Sequence, residues 1–410
     1  MHTSFDAFKL RQETRQALDN MGYTEPTPVQ AEAIAPLLEG RDLLAQARTG
    51  TGKTAAFGIP VVDATAGKSV QTLVLVPTRE LANQVAQELN RIGKGSPFNA
   101  ASIYGGVGYK SQIKALRRNS KTTCIVACPG RLLDLLENKG CNLDDVRTVV
   151  LDEADRMLDM GFVHDIEKIL AYVPGDHQTI MTSATMPDGI RKLSHQYLID
   201  PVTVQPEEGS LGTPLTDQFR IMVRGEATAQ LVRLIEKEDP ERAVVFTDTK
   251  HTAKRMAAKL KAAGYKADAL QGNMSQRQRD RTMKALRTGE TRIMVATDVA
   301  ARGIDVEELT HVIQFDLPKK PEDHVHRTGR TGRAGKDGRA FLFAQPNQAK
   351  KVDKIAEHAG VPIKSYDLGQ VPRLPEHIFK AGPKPRGYES VTAGGNKGGG
   401  RGRGRGRRRR

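Results

Sequence analysis

At 410 residues, 38% of them hydrophobic, the chain is too long for one ordinary core and suits two domains of ordinary size. Its net charge of +15 is unevenly placed: residues 380–410 hold eleven Lys/Arg against one acid, Glu389, so a modestly basic body carries a strongly basic end, suited to a polyanion such as nucleic acid. No run is long enough to span a membrane, no apolar stretch marks a signal peptide, and Cys124, Cys128 and Cys141 form no CxxC pair or Cys/His cluster, so a zinc site is excluded and reduced thiols in a soluble cytoplasmic protein are expected.

The first predicted strand, 42–47, runs into ARTGTGKT (47–54) and then a helical pattern. The string fits the phosphate-loop spacing GxxxxGK[ST], with Ala47 in place of the first glycine. Arg48, Thr49, Gly50, Thr51 and Gly52 would line the loop, the glycines letting backbone N–H groups turn to phosphate oxygens. Lys53 would supply a point charge to the β and γ phosphates of ATP, and Thr54 a hydroxyl to Mg²⁺. Further apolar strands are predicted at 72–77, 123–128, 148–153 and 179–184. The strand at 148–153 delivers Asp152 to its carboxyl end, where open α/β sheets bind ligands. There Asp152 would hold Mg²⁺ through water, and Glu153 would orient and deprotonate the attacking water.

A Pro-, Gly- and charge-rich stretch at 204–216 reads as a linker. Beyond it come strands at 219–223, 243–247, 292–297, 311–316 and 340–344. Continuous apolar strands alternating with helices imply parallel sheets covered on both faces. The halves also echo each other. Thr78 and Thr249 each follow a strand and stand to cap a helix, with Ala82 and Ala253 at +4, Ala86 and Ala257 at +8, and Leu89 and Leu260 at +11. That pattern predicts a duplicated α/β domain with a cleft able to open and close.

The run Asp152-Glu153-Ala154-Asp155 resembles the signature of the DEAD-box ATP-dependent RNA helicases, and the likeness extends from residue 5 to about 345. It implies two tandem RecA-like parallel-sheet domains, at 1–204 and 217–368, joined by a linker at 205–216 and followed by a disordered basic tail at 369–410. GYTEPTPVQ (22–30) is similar to the family's adenine-reading element, so that Gln30 would hydrogen-bond the adenine edge and Tyr23 would stack on the ring, with Phe5 nearby. Ser183 and Thr185, in SAT, match the family's coupling motif, which Asp155 and His326 would serve.

The resemblance places Pro77, Thr78, Arg79, Gly105, Gly106, Pro129, Gly130 and Arg131 on the RNA face of the first domain, and Gln276, Arg279 and Thr297 on that of the second. Small, hydroxyl and arginine side chains suit phosphate and sugar contacts, which carry no base sequence. With no Trp and 5% aromatics, base stacking should not dominate binding. The chain departs from the family where Cys128 replaces the Thr before PGR, where Gln271-Gly272-Asn273 replaces His-Gly-Asp, and where His324 replaces an aromatic.

HRTGRTGR (326–333) sets Arg327, Arg330 and Arg333 at every third position. Alone, such a string would read as a solvated basic face. By the resemblance, Arg330 and Arg333 cross the cleft as arginine fingers, His326 helps join the domains, and Asp305 holds the ribose. Fingers of this kind contribute about 10³–10⁵ in rate, so hydrolysis should require closure, and closure on one strand would disrupt a short duplex. An ATP-dependent RNA clamp or annealing chaperone shares these motifs, as does a DNA helicase. Glycine and arginine alone cannot bury enough apolar surface to offset chain entropy, so the tail is expected to act as an electrostatic RNA tether.

Overall fold

The computed structural model describes residues 4–47, 51–67, 69–117, 120–139, 141–205, 216–301, 309–332 and 337–382. Arg48, Thr49, Gly50, Asp305, Arg333, nearly all of the expected linker and the tail beyond 382 lie outside the described residues. Strands β1 (Leu43–Gln46), β2 (Thr72–Leu75), β3 (Ala100–Ile103), β4 (Cys124–Ala127), β5 (Thr148–Leu151), β6 (Gln178–Ser183) and β7 (Val202–Val204) form one sheet in the order β3-β4-β2-β5-β6-β1-β7. A second sheet contains β8 (Thr216–Met222), β9 (Ala243–Phe246), β10 (Ala267–Leu270), β11 (Ile293–Ala296), β12 (His311–Gln314), β13 (Gly338–Ala344) and β14 (Lys364–Ser365). Its order is β10-β11-β9-β12-β13-β8-β14. Every pairing is parallel. Counted from its own first strand, the second sheet repeats the order of the first. Two tandem RecA-like domains result.

The apolar runs explain the layers. Leu73 and Leu75 of β2 enter one core, and Val74 and Val76 enter the other, on the opposite face of the sheet. Such two-sided burial is what a parallel sheet with helices on both faces demands. Thr78 and Thr249 both cap as expected, their hydroxyls accepting the N–H of Leu81 at 3.3 Å and of Thr252 at 3.0 Å. Behind those caps, the helices Arg79–Ile92 and Lys250–Ala262 turn the matched Ala and Leu positions into the core.

One expectation needs correcting. Residues 369–382, assigned by sequence to the disordered tail, fold back on the second domain and form the helix Glu376–Lys380. Val371, Leu374, Ile378 and Phe379 pack with Ala229, Val232, Ala262 and Ala263. Val371 and Leu374 before the helix and Ile378 and Phe379 within it bury apolar surface that offsets the cost of ordering a segment rich in prolines and charges.

All three cysteines are free thiols. Burial pushes the Cys124 thiol up, and Cys128 to about 12, which suits inert reduced thiols. No described helix is long and apolar enough to cross a membrane.

Candidate active site in the interdomain cleft

The phosphate loop leaves β1 and enters the helix Lys53–Ala64 at Gly52, whose φ of 89° is left-handed. Lys53 is buried, and its Nζ donates to the Ala47 carbonyl at 2.7 Å. Thr54 follows on the first turn, half-buried. A second helix, Pro28–Leu38, is strapped to this loop through a capping box. Gln30 Oε1 accepts the Thr27 N–H at 2.9 Å, and Nε2 donates to the Gly52 carbonyl at 3.2 Å. The Thr27 hydroxyl donates to the Thr51 carbonyl at 2.9 Å. Those bonds use one amide proton and one lone pair of Gln30, leaving one of each for a ligand edge.

Tyr23 is half-buried, and its hydroxyl donates to Glu88 at 3.1 Å. Burial, reinforced by Glu88, raises its phenol to about 12. Phe5 meets Tyr23 edge-on at 5.7 Å between centroids. Being buried against Phe8, Phe5 props Tyr23 rather than facing the cleft.

Asp152 and Glu153 follow β5. Thr182 on neighbouring β6 serves both: its hydroxyl donates to Asp152 Oδ1 at 2.5 Å and accepts the Glu153 N–H at 3.2 Å. Nothing in the one-dimensional sequence marks Thr182, because only sheet register brings it there. Burial raises the Asp152 carboxyl above its usual range, with Lys53 pulling the other way. For Glu153, burial also pushes upward, but Arg330, Arg156 and Lys53 outweigh it and hold the carboxylate below its usual value. Glu153 has φ 53° and ψ 51°, a left-handed conformation that costs a non-glycine residue about 1–2 kcal/mol. Such strain gathers at functional sites.

Asp155 ties three elements together. Its Oδ2 accepts the N–H groups of Ala184 and Thr185 at 3.2 and 3.0 Å and the Thr185 hydroxyl at 2.9 Å. His326 Nε2 of the second domain lies 3.4 Å from the same oxygen. Ser183 closes the SAT turn, donating to the Thr185 carbonyl at 2.6 Å. Despite burial, hydrogen bonds from His326 and Thr185 and nearby positive charge hold the Asp155 carboxyl far below its usual value. Arg156 Nη1 contacts His326 Nδ1 at 3.2 Å. Since a guanidinium can only donate, Nδ1 accepts, and the ring proton sits on Nε2, facing Asp155.

The arginines of HRTGRTGR divide their work. Arg327 points into its own domain, pairing through Nε and Nη2 with Asp298 at 2.6 Å each and donating to the Asp316 carbonyl at 2.7 Å. Arg330 is buried, with Nε donating to the His326 carbonyl at 3.3 Å, and is the leading positive influence on Glu153. His324, at the departure from the family, lies between Gln218 Oε1 at 2.9 Å and Gln314 Nε2 at 2.8 Å.

On the expected nucleic-acid face, two pairs of side chains bridge the domains. Arg79 Nη1 donates to Gln276 Oε1 at 3.2 Å. Arg279 donates from Nε and Nη2 to Glu80 Oε1 at 2.9 and 2.6 Å, and to the Ala300 carbonyl at 3.1 Å. Glu80 lies within the PTREL stretch (77–81) expected on that face, but its pairing with Arg279 of the second domain is not legible in sequence. Gly106, at φ 86°, leaves no room for a Cβ beside the Arg79 guanidinium, and Gly105 also lies against it.

Pro77 precedes the Thr78 cap, and Thr297 follows β11, its carbonyl accepting the Ala300 and Ala301 N–H groups at 2.9 and 2.8 Å. Pro129 opens the helix Pro129–Lys139, with Gly130 exposed beside it. Arg131 turns inward instead: Nη1 donates to the Val107 carbonyl at 3.0 Å and to Gln112 Oε1 at 3.4 Å.

Residues 27–193 match the DEAD/DEAH box helicase family and residues 226–335 the helicase conserved C-terminal domain. The DEAD-box ATP-dependent RNA helicase CshA of Bacillus cereus is 44% identical over 356 residues, covering 86% of this chain and 67% of that protein. The ATP-dependent RNA helicase CshA of Limosilactobacillus reuteri is 40% identical over 382 residues, 92% of this chain and 75% of that one. Among solved structures, S. cerevisiae Dbp5 bound to RNA and ADP BeF3 superposes with a TM-score of 0.82 at 28% identity, covering 90% of this chain and 96% of that one. A DEAD box protein from Methanococcus jannaschii is 37% identical yet superposes at 0.53, with 89% and 99% covered.

Proposed function

The chain belongs to the DEAD-box ATP-dependent RNA helicases, and from that premise we propose that it hydrolyses ATP to close its two domains on one RNA strand, locally opening short duplexes. The observation that carries this reading is the Asp155 knot. One carboxylate beside the hydrolytic residues holds the SAT turn of its own domain and meets His326 of the other. A change at the phosphate end of the cleft therefore has a route to the second domain through this side chain. We take residues 1–204 as the ATP-binding unit, 205–216 as the linker, and 217 onward as the second unit, extended to 382 by the docked helix. The cytoplasm, where thiols stay reduced, is its expected place.

In this reading Lys53 and the loop from Arg48 to Thr54 hold the phosphates, and Gln30 reads adenine with its remaining proton and lone pair. Tyr23 offers its ring to the base, propped by Phe5, and Asp305 holds the ribose. Arg330 and Arg333 stabilise charge developing on the γ-phosphate, and His326 links the domains. Ionised Glu153 accepts the proton of the attacking water.

The residues present fit Mg²⁺. Among the described residues, Asp152 receives hydrogen bonds at Oδ1 only, its burial beside Glu153 calls for a cation, and Thr54 adds a hydroxyl. No described trio of His, Cys, Asp or Glu encloses a metal alone, which suits an ion completed by phosphate oxygens and water. Held by Asp152 and Thr54, Mg²⁺ would offset negative charge on the phosphates.

The RNA face takes backbone contacts from Pro77, Thr78, Arg79, Gly105, Gly106, Pro129, Gly130, Gln276 and Thr297. Arg131 and Arg279 act more through buttressing it than through exposed charge. The test pairs ATPase turnover, stimulated by single-stranded RNA or by DNA of equal length, with strand displacement on a short RNA duplex. RNA-stimulated hydrolysis with displacement is expected. Hydrolysis without displacement would leave a clamp or annealing chaperone, and equal stimulation by DNA would remove the RNA preference.

A further inference from the structure

Among the described residues only three large apolar side chains are exposed: Tyr109 at 40%, Tyr172 at 41% and Ile199 at 79%. Tyr109 differs from the others in its surroundings. It lies three residues beyond Gly106 and opens the helix Tyr109–Ala115. The Arg131 guanidinium sits 4.3 Å from its ring centroid, and Lys139 Nζ 5.4 Å. Only 11% of the Arg131 side chain remains exposed, so the ring covers this cation and leaves its own remaining surface to solvent. Asp134 beside it raises the phenol above its usual value. The ring is thus held against Arg131, between two elements already assigned to the RNA face. Lys110 and Lys114 stand exposed beside it.

We propose that Tyr109 is a stacking platform for one base of single-stranded RNA, just beyond the backbone contacts of the cleft, with Lys110 and Lys139 taking neighbouring phosphates. The proposal rests on the RNA-binding reading of that face. A pre-oriented ring loses little freedom on binding, and every base has a π-face, so the contact would add affinity without reading sequence. One such platform agrees with a chain too poor in aromatics to bind mainly by stacking.

Because the chain contains no Trp, Tyr109→Trp installs a single indole reporter. The full chain, in a non-hydrolysable ATP analogue, is titrated with a single-stranded oligouridine. Indole emission is followed alongside the anisotropy of an end-labelled copy of the RNA. Emission should quench in step with binding. Tyr109→Ala should weaken binding about tenfold or more, and Tyr109→Phe should bind like the parent. A backbone of abasic ribose phosphates should bind the parent and Tyr109→Ala equally. RNA binding with unchanged indole emission, or an alanine variant that binds as the parent does, overturns the stacking role alone. A parent chain that binds no RNA overturns the RNA reading as well.

Discussion

Glu153 combines a left-handed backbone with a carboxylate kept ionised by cations from both domains, so its charge and its aim can be separated by substitution. Glu153→Gln keeps shape and removes basicity: turnover should fall by about 10²–10⁴, while ATP and RNA still bind. Single-turnover hydrolysis and RNA anisotropy in ATP measure the two effects, and parental turnover would remove Glu153 from the role of base. Gly52→Ala tests the neighbouring strap. A Cβ at φ 89° would lie 2.5 Å from Gln30 Nε2, forcing the amide off the Gly52 carbonyl. Nucleotide affinity should drop about tenfold, roughly 1.4 kcal/mol, with weaker preference for ATP over GTP, and Tm should fall by a few degrees because alanine is strained at that φ. At this scale the sequence singles out as candidates residues whose chemistry sits in a motif, such as Lys53, Asp152 and Gln30. The pairings of Thr182, Glu80 and Glu88 escaped because partners 29, 199 and 65 positions away give them meaning.

Elements carry the coupling between domains. The helix Arg79–Ile92 meets the helix Gln276–Arg287 through Glu80 and Arg279, whose side chains are 17% and 12% exposed. A pair so sheltered should couple by about 0.5–3 kcal/mol in a double-mutant cycle. The readout is cleft closure, followed by energy transfer between labels on the two domains in ATP analogue without RNA. Glu80→Ala and Arg279→Ala should each oppose closure, and the double variant should lose little more than either. Strict additivity would mean that the pair does not hold the cleft.

Elsewhere in the second domain, His311 at the start of β12 meets Glu238 at 3.2 Å. Burial holds its pKa below 6.5, against the upward pull of Glu238. The unfolded chain therefore binds the extra proton first, so the stability due to neutral His311 is whole above about 6.5 and is lost as pH falls through the folded value. Tm should decline from pH 7 to pH 5, and His311→Gln, which keeps a donor for Glu238, should flatten the decline. The strands that sequence located are the buried central ones. It missed β3, β7, β10 and β14, short strands at or near sheet edges whose half-polar residues carry no continuous apolar run.

The whole molecule is a nearly balanced pair of domains with its charge gathered at one end. After residue 382 come ten Lys/Arg and one acid, Glu389, a net of +9 out of the chain's +15. The docked segment decides where that charge begins. Val371 to Phe379 hold it on the second domain, and Gly382 lies against the Arg255 backbone, where a Cβ would come within 3.2 Å of Arg255 Cα. Arg255 belongs to the helix capped by Thr249 at the carboxyl end of β9, the edge of the sheet that faces the cleft. Deleting residues 383–410 should leave the maximal ATPase rate nearly unchanged, because no hydrolytic residue is removed, and should raise the RNA concentration that half-saturates it. Each charge engaging a phosphate of single-stranded RNA adds about 0.7 to the slope of log K against log salt. If roughly half of the tail's charge engages, the deletion should flatten that slope by about 3. Titrations of RNA binding across a salt series read this directly, and an unchanged slope would mean that the tail does not touch RNA.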